Sequence, residues 1–281
     1  MKSRFFKIKV KKGKASKIAK ATNIVDTNGI FAAVAPYGEF SADDLAEMIN
    51  DDGTVNIDGE GIAADGNGSF YIASEGRGTI GDKERPIESL NFIFKVDEDG
   101  VIQQVITLPD EWNDKQLRFG LEGVAYNPDS NVLVAVLQRA WGDDTNPAVM
   151  VYSLDDNAWA GYGYYPLETP ASQYGGWVGL SDITYVGDGK YYILERDNQG
   201  LTDAAIKRIY CIDMNTWTGD GFLFSKDIVS DIINIMDDYG TLPMEKYEGL
   251  AYTVGGVFIV NDGDGVDDNS GELQLLNLGD L

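Results

Sequence analysis

Apolar residues in this chain fall mainly in short runs that alternate with polar ones and are bounded by Gly, Asp, Asn and Pro. Such runs predict β-strands with one wet face. Phe5 to Val10 sets Phe6, Ile8 and Val10 against Lys7 and Lys9, the turn-like Lys12-Gly-Lys14 follows, and Ile18 to Val25 reads as a second strand. Ser41-Ala-Asp-Asp44 has the form of an N-cap with acids in the first turn. It predicts a short helix through Leu45, Met48 and Ile49, ended by Asn50-Asp-Asp-Gly53. Asp227 to Met236 fits either a strand or a helix.

One pattern is written four times. Asp58-Gly-Glu60-Gly-Ile-Ala63 with Phe70-Tyr-Ile-Ala-Ser-Glu75 returns as Leu121-Glu122-Gly-Val-Ala-Tyr126 with Val132 to Gln138, then as Leu180-Ser-Asp182-Ile-Thr-Tyr185 with Tyr191-Tyr-Ile-Leu-Glu195. The last copy is Tyr247-Glu248-Gly-Leu-Ala-Tyr252 with Val257 to Asp262. The period is about sixty residues, and each repeat parses as up to four short strands with turns such as Asp65-Gly-Asn-Gly68 and Asp97-Glu-Asp-Gly100. Four antiparallel strands at a fixed period predict an all-β chain, a β-propeller of four-stranded blades. The expectation is a single domain over residues 1–281 with about five to six blades and an incomplete first one. A sandwich with chance similarity between hairpins is the competing reading.

In a blade the first strand begins and the second ends at the same rim. The residues so placed are Glu60 and Glu75, Glu122 and Gln138, Asp182 and Glu195, Glu248 and Asp262, seven acids among eight. Carboxylates gathered at one opening repel one another unless cations or basic side chains compensate them. Calcium suits such a funnel, because it takes six to eight oxygen ligands at about 2.3–2.6 Å in irregular geometry. Arg77, Arg139 and Arg196 follow the second-strand acids closely and are suited to an anionic oxygen substrate. Each acid has a second reading, as an acceptor for backbone N–H groups at a blade turn, with the arginines paired to neighbouring acids.

Asn261-Asp-Gly-Asp-Gly-Val-Asp-Asp-Asn269 is dense in acids and glycines, but Val266 takes a ligand position of the EF-hand pattern and the closing Glu is misplaced. Ser74 and Ser181 lie near the rim without an activating partner, and the five Trp read as blade packing.

Composition narrows the chemistry. The chain has no His, which removes Ser-His and Cys-His pairs and His-ligated zinc, and its single Cys211 forms no internal disulfide. A net charge of −24 argues against nucleic acid and anionic membranes as partners and towards cations. Residues 1–20 run the other way, with nine Lys or Arg and no acid. No apolar run is long enough for a membrane span, and the Lys-rich start lacks the apolar stretch of a signal peptide.

The repeat resembles the phytase-like β-propeller family named for an esterase-like activity of phytase. The resemblance is carried by Asp58-Gly-Glu-Gly-Ile-Ala63 with Ile72-Ala-Ser-Glu75, Phe119-Gly-Leu-Glu-Gly-Val-Ala125, Leu180-Ser-Asp-Ile183 with Ile193-Leu-Glu-Arg196, and Tyr247-Glu-Gly-Leu-Ala251 with Val260-Asn-Asp262. It extends from about Arg4 to the end and starts late in the family pattern. Two departures are Arg118-Phe119, where the family usually has Asn-Arg, and Gln138, where an acid is common.

The resemblance implies a secreted or periplasmic propeller, calcium-dependent and hydrolysing phosphate or other esters. On that reading Glu60, Glu75, Glu122, Asp182, Glu195, Glu248 and Asp262 hold Ca²⁺. Arg139 and Arg196 bind the anionic ester, and Glu122 and Glu195 take part in its hydrolysis by metal-activated water. Two alternatives stand beside it. One is a non-catalytic, calcium-stabilised surface, adhesion or partner-binding propeller, and the other a metal-dependent lactonase-type propeller.

Overall fold

Alternating sequence folds as antiparallel sheet in the computed structural model, which describes residues 2–11, 14–263 and 273–281. The fold is all-β and of the propeller class, with four sheets of blade type among the described residues. The chain divides into two compact units, Met1–Arg118 and Phe119–Leu281.

In the first unit, β1 (Arg4–Lys11) and β2 (Lys14–Asn23) form a two-stranded sheet of their own. Ser41 then caps α1 (Ala42–Glu47) through a reciprocal pair, its hydroxyl accepting from the Asp44 N–H and its own N–H donating to the Asp44 carboxylate. A four-stranded meander follows: β3 (Asp58–Ala64), β4 (Ser69–Glu75), β5 (Phe92–Asp97) and β6 (Ile102–Thr107), and α2 (Asp110–Asn113) comes next in the chain. The core is aromatic, with Phe31 edge-on to Phe92 and Phe94 at 5.4 and 5.0 Å. The Asp97–Gly100 turn is closed by Asp97 Oδ1, which accepts from the N–H groups of Asp99 and Val101. Gly100 (φ +83°) is required there, since a Cβ would lie 2.0 Å from the Asn23 carbonyl oxygen.

In the second unit, β7 (Leu121–Asn127), β8 (Val132–Leu137), β9 (Ala148–Ser153) and β10 (Ala158–Tyr164) pair in sequence. The next blade is β11 (Val178–Gly187), β12 (Lys190–Asp197), β13 (Lys207–Asp213) and, after the short β14 (Phe222–Leu223) that joins β10 in parallel, β15 (Asp227–Asp231). The ambiguous stretch is both things at once. Its first half is β15, and Asp231 caps α3 (Ile232–Asp238) by accepting from the Ile233 N–H. β16 (Tyr247–Thr253), β17 (Gly256–Asn261) and β18 (Leu275–Gly279) form a three-stranded sheet. The acidic stretch beyond Gly263 lies outside the described residues.

One irregularity recurs. The first strand of every blade carries a register shift at its opening, between Gly59 and Gly61, Leu121 and Gly123, Leu180 and Asp182, and Tyr247 and Gly249. A bulge at that point sets two residues against one and re-aims the extra side chain. Among the described residues no helix is long and apolar enough to cross a membrane.

Candidate metal centre and strand-end cluster

The bulge defines which residues are equivalent. It falls on Glu60, Glu122 and Glu248 in three blades and on Ser181 in the remaining one. Aligning Asp182 with the three glutamates is therefore corrected by one residue: Asp182 stands where the other blades have Gly61, Gly123 and Gly249. The opposite strand shifts too. Glu195 pairs with Leu180 and so matches Ser74, Leu137 and Asn261, while Arg196 takes the place of Glu75, Gln138 and Asp262. The Ser-Asp and Glu-Arg pairs looked like displaced acids, but they are a serine and an arginine occupying the acid positions.

In the first unit the strand ends gather carboxylates. Asp58 pairs with Glu75 across the ladder, Glu60 sits on the bulge, and one oxygen from each of the three lies within 4.8 Å of the others. Asp58 is exposed and the two glutamates are half-buried. They border a cleft of about 910 Å³. Its other walls include Arg4, Phe6 and Ile8 of β1, Ile62 of β3, and Arg77 just past β4. The Arg4 guanidinium lies over the Phe6 ring at 5.8 Å. Oxygens bound to one calcium at about 2.3–2.6 Å can be no more than roughly 5 Å apart. The separation in this cluster meets that condition, and an all-oxygen donor set suits a hard divalent ion.

In the second unit the predicted residues make specific protein contacts. The Asp182 carboxylate accepts from two backbone groups, Ile183 N–H at 2.8 Å and Leu250 N–H at 2.7 Å, and thereby ties β11 to β16. Full burial pushes its carboxyl well above the usual range, against the pull of those two donors. Gly123 of β7 packs on the same residue, where a Cβ would meet the Asp182 Cα at 2.8 Å. Glu195 is fully buried. It accepts from the Tyr165 hydroxyl at 2.7 Å, the Glu168 N–H at 2.5 Å and Lys226 Nζ at 2.6 Å. Burial raises its carboxyl, with Lys226 opposing.

Arg196 donates from Nε to Ser181 Oγ at 2.9 Å and from Nη2 to Glu248 Oε1 at 2.5 Å, so the reversed charge in this blade neutralises the bulge acid of the next. Asp262 lies 3.5 Å from Lys246 Nζ. Glu122 and Gln138 are buried at the opening of β7 and the end of β8. Arg139, one residue on, is stacked on Phe119 and Trp177 at 5.2 and 5.4 Å.

Several participants went unread in the sequence. Asp58 carries a signal, since it stands two residues from Glu60 on the same strand and opens the first copy of the repeat. Lys226, Tyr165 and Glu168 carried none, because they come from segments outside the repeat. The packing role expected of all five tryptophans fits Trp112 and Trp141, which are buried, whereas Trp177 is half-buried against two guanidiniums.

Comparison with known proteins adds the context. No curated protein matches the chain. A solved structure, Kuenenia stuttgartiensis Hydrazine Synthase, is similar over 81% of this chain and 52% of its own, with 11% identity and a TM-score of 0.39, so the chain spans about half the length of that protein. The model of the Phytase-like family, described as "Esterase-like activity of phytase", matches residues 1–265. Repeat, blade architecture and family match agree: the chain belongs to the Phytase-like family.

Proposed function

We propose that the protein is a calcium-dependent hydrolase of phosphate or other esters whose working site is the cleft of the first unit. The observation that carries this reading is the convergence of Asp58, Glu60 and Glu75 at the border of a cleft that also holds two arginines. Asp58, Glu60 and Glu75 would hold the ion, which supplies charge neutralisation and an acidified water in place of the absent histidine. Arg4 and Arg77 bind and orient the anionic group of the ester, Arg4 with its guanidinium face set against Phe6. Phe6, Ile8 and Ile62 offer an apolar wall to the rest of the substrate.

The second-unit residues take other parts in this proposal. Glu195, Asp182 and the Arg196–Glu248 pair hold strands and loops together through the contacts described above. Glu122 remains a candidate by its place on a bulge equivalent to that of Glu60. The family resemblance supports a secreted or periplasmic location as part of this proposal.

A second reading is favoured by one observation. β1 and β2 expose Phe6, Ile8, Val10 and Ile18 by 46, 46, 53 and 64%, among exposed lysines, which supports the alternative of a partner-binding, calcium-stabilised propeller. Melting with calcium and with EDTA, for wild type and Glu60→Gln, combined with assays on phytate, p-nitrophenyl phosphate and p-nitrophenyl acetate, separates the readings. The hydrolase requires that calcium raise the melting temperature of wild type and that Glu60→Gln lose both the shift and the activity. A calcium shift without turnover selects the binding module. No shift and an activity indifferent to Glu60→Gln remove the cation from the account.

A further inference from the structure

Arg139 is in an unusual position for an arginine in a chain of net charge −24. It makes no hydrogen bond or ion pair among the described residues. Its guanidinium instead lies over the Phe119 ring at 5.2 Å and the Trp177 ring at 5.4 Å, the two rings being 5.3 Å apart and inclined at 57°. Desolvation holds its pKa below the ordinary arginine value, so its charge is partly stripped of water without a carboxylate in exchange. Arg196, over the other contact of Trp177 at 5.5 Å, differs in being committed to Glu248 and Ser181.

The aromatic corner is built at a cost. Phe119 has φ +72°, a left-handed conformation that is strained for a bulky side chain. The buried Trp141 keeps it there by donating its indole N–H to the Phe119 carbonyl at 3.2 Å. Trp177 is pinned from both sides of its backbone, its N–H donating to Asn198 Oδ1 at 2.7 Å and its carbonyl accepting the Asn198 N–H at 3.1 Å. Gly179 leaves room for the indole, because a Cβ there would stand 2.9 Å from Trp177 Cζ3. Stacking occupies the faces of a guanidinium and leaves its edge donors to a planar, two-oxygen acceptor.

We propose that Arg139, seated on Phe119 and Trp177, is a binding site for the oxyanion of a phosphate or carboxylate group, separate from the calcium cleft of the first unit. The site goes beyond the hydrolase reading and does not depend on it. Isothermal titration of the intact protein with inorganic phosphate, and separately with acetate, tests it in wild type, Arg139→Met and Arg139→Lys. Saturable binding to wild type that weakens about tenfold or more in Arg139→Met, and by a smaller factor in Arg139→Lys, supports the site. Preference for phosphate or acetate identifies the group. Melting curves of the two variants establish that they are folded. Absence of saturable binding by either anion, or equal binding by wild type and Arg139→Met, overturns it. Glu60→Gln leaves this binding unchanged while abolishing hydrolysis on the preceding reading, so the two stand or fall apart.

Discussion

Lys207 is the most consequential buried cation in the second unit, and replacing it by Met tests how the strand end that carries Arg196 is held. The side chain is fully buried, and its three ammonium protons are used on Asp197 Oδ1 at 2.9 Å, the Asp197 carbonyl at 2.7 Å and the Glu245 carbonyl at 2.6 Å. Asp197, 1% exposed, also accepts from the Ala205 and Ile206 N–H groups at 2.7 and 3.0 Å. Lys207→Met preserves much of the volume but strands the carboxylate and two carbonyls. Breaking one side of a buried pair costs about 3–5 kcal/mol. In a chain of this size that corresponds to a fall in melting temperature of roughly 6–20 °C. Denaturant titration of wild type, Lys207→Met, Asp197→Asn and the double variant measures it, and the cycle yields a coupling of about 1–3 kcal/mol.

The same lysine gives a pH signature. Burial pushes its pKa down to about 8, with Asp197 opposing, against an ordinary value of 10.5. Between those values the unfolded chain binds more protons, so the lysine's contribution to stability rises with pH from about 8 to 10.5 and is flat below. Wild type shows that ramp relative to Lys207→Met. A loss of less than about 1 kcal/mol, with no difference in pH slope, refutes the argument.

Three further outcomes follow from contacts already described. Gly123→Ala sets a Cβ 2.8 Å from the Asp182 Cα and the Ile183 nitrogen, which are backbone atoms that cannot swing aside, and lowers stability by about 1–3 kcal/mol in denaturant titration. Ser41→Ala removes the cap of α1 and costs about 1 kcal/mol, read as a shift in denaturation midpoint at unchanged slope. Glu195→Gln deprives Lys226, whose side chain is 11% exposed, of its nearer counter-charge, and costs about 1–3 kcal/mol in thermal unfolding.

Strand positions were legible because alternation and turn chemistry act locally: Asp97-Glu-Asp-Gly100 encodes its own turn, and Ser41 with Asp44 its own cap. The split of Asp227–Met236 was not legible, since Asp231 ends a strand and caps a helix with the same residue. The one-residue offset in the third repeat was hidden for a similar reason. A bulge leaves no residue signature of its own, so charge alone aligns Asp182 with the glutamates although its carboxylate serves the Leu250 backbone. The cluster at Asp58 was half visible, through i, i+2 spacing on one strand. The Arg139 corner depends on Phe119, Trp141, Trp177 and Asn198, which come together only through the fold.

The bulge at the opening of each first strand makes the candidate chemistry a matter of counting as well as of side-chain type. A single-residue deletion at Glu60 would return β3 to ordinary pairing and keep Asp58 opposite Glu75, yet would remove the bulge carboxylate that completes the three-acid cluster. Variation in loop length between strands leaves that cluster intact, whereas the first three residues of β3 admit no change in number.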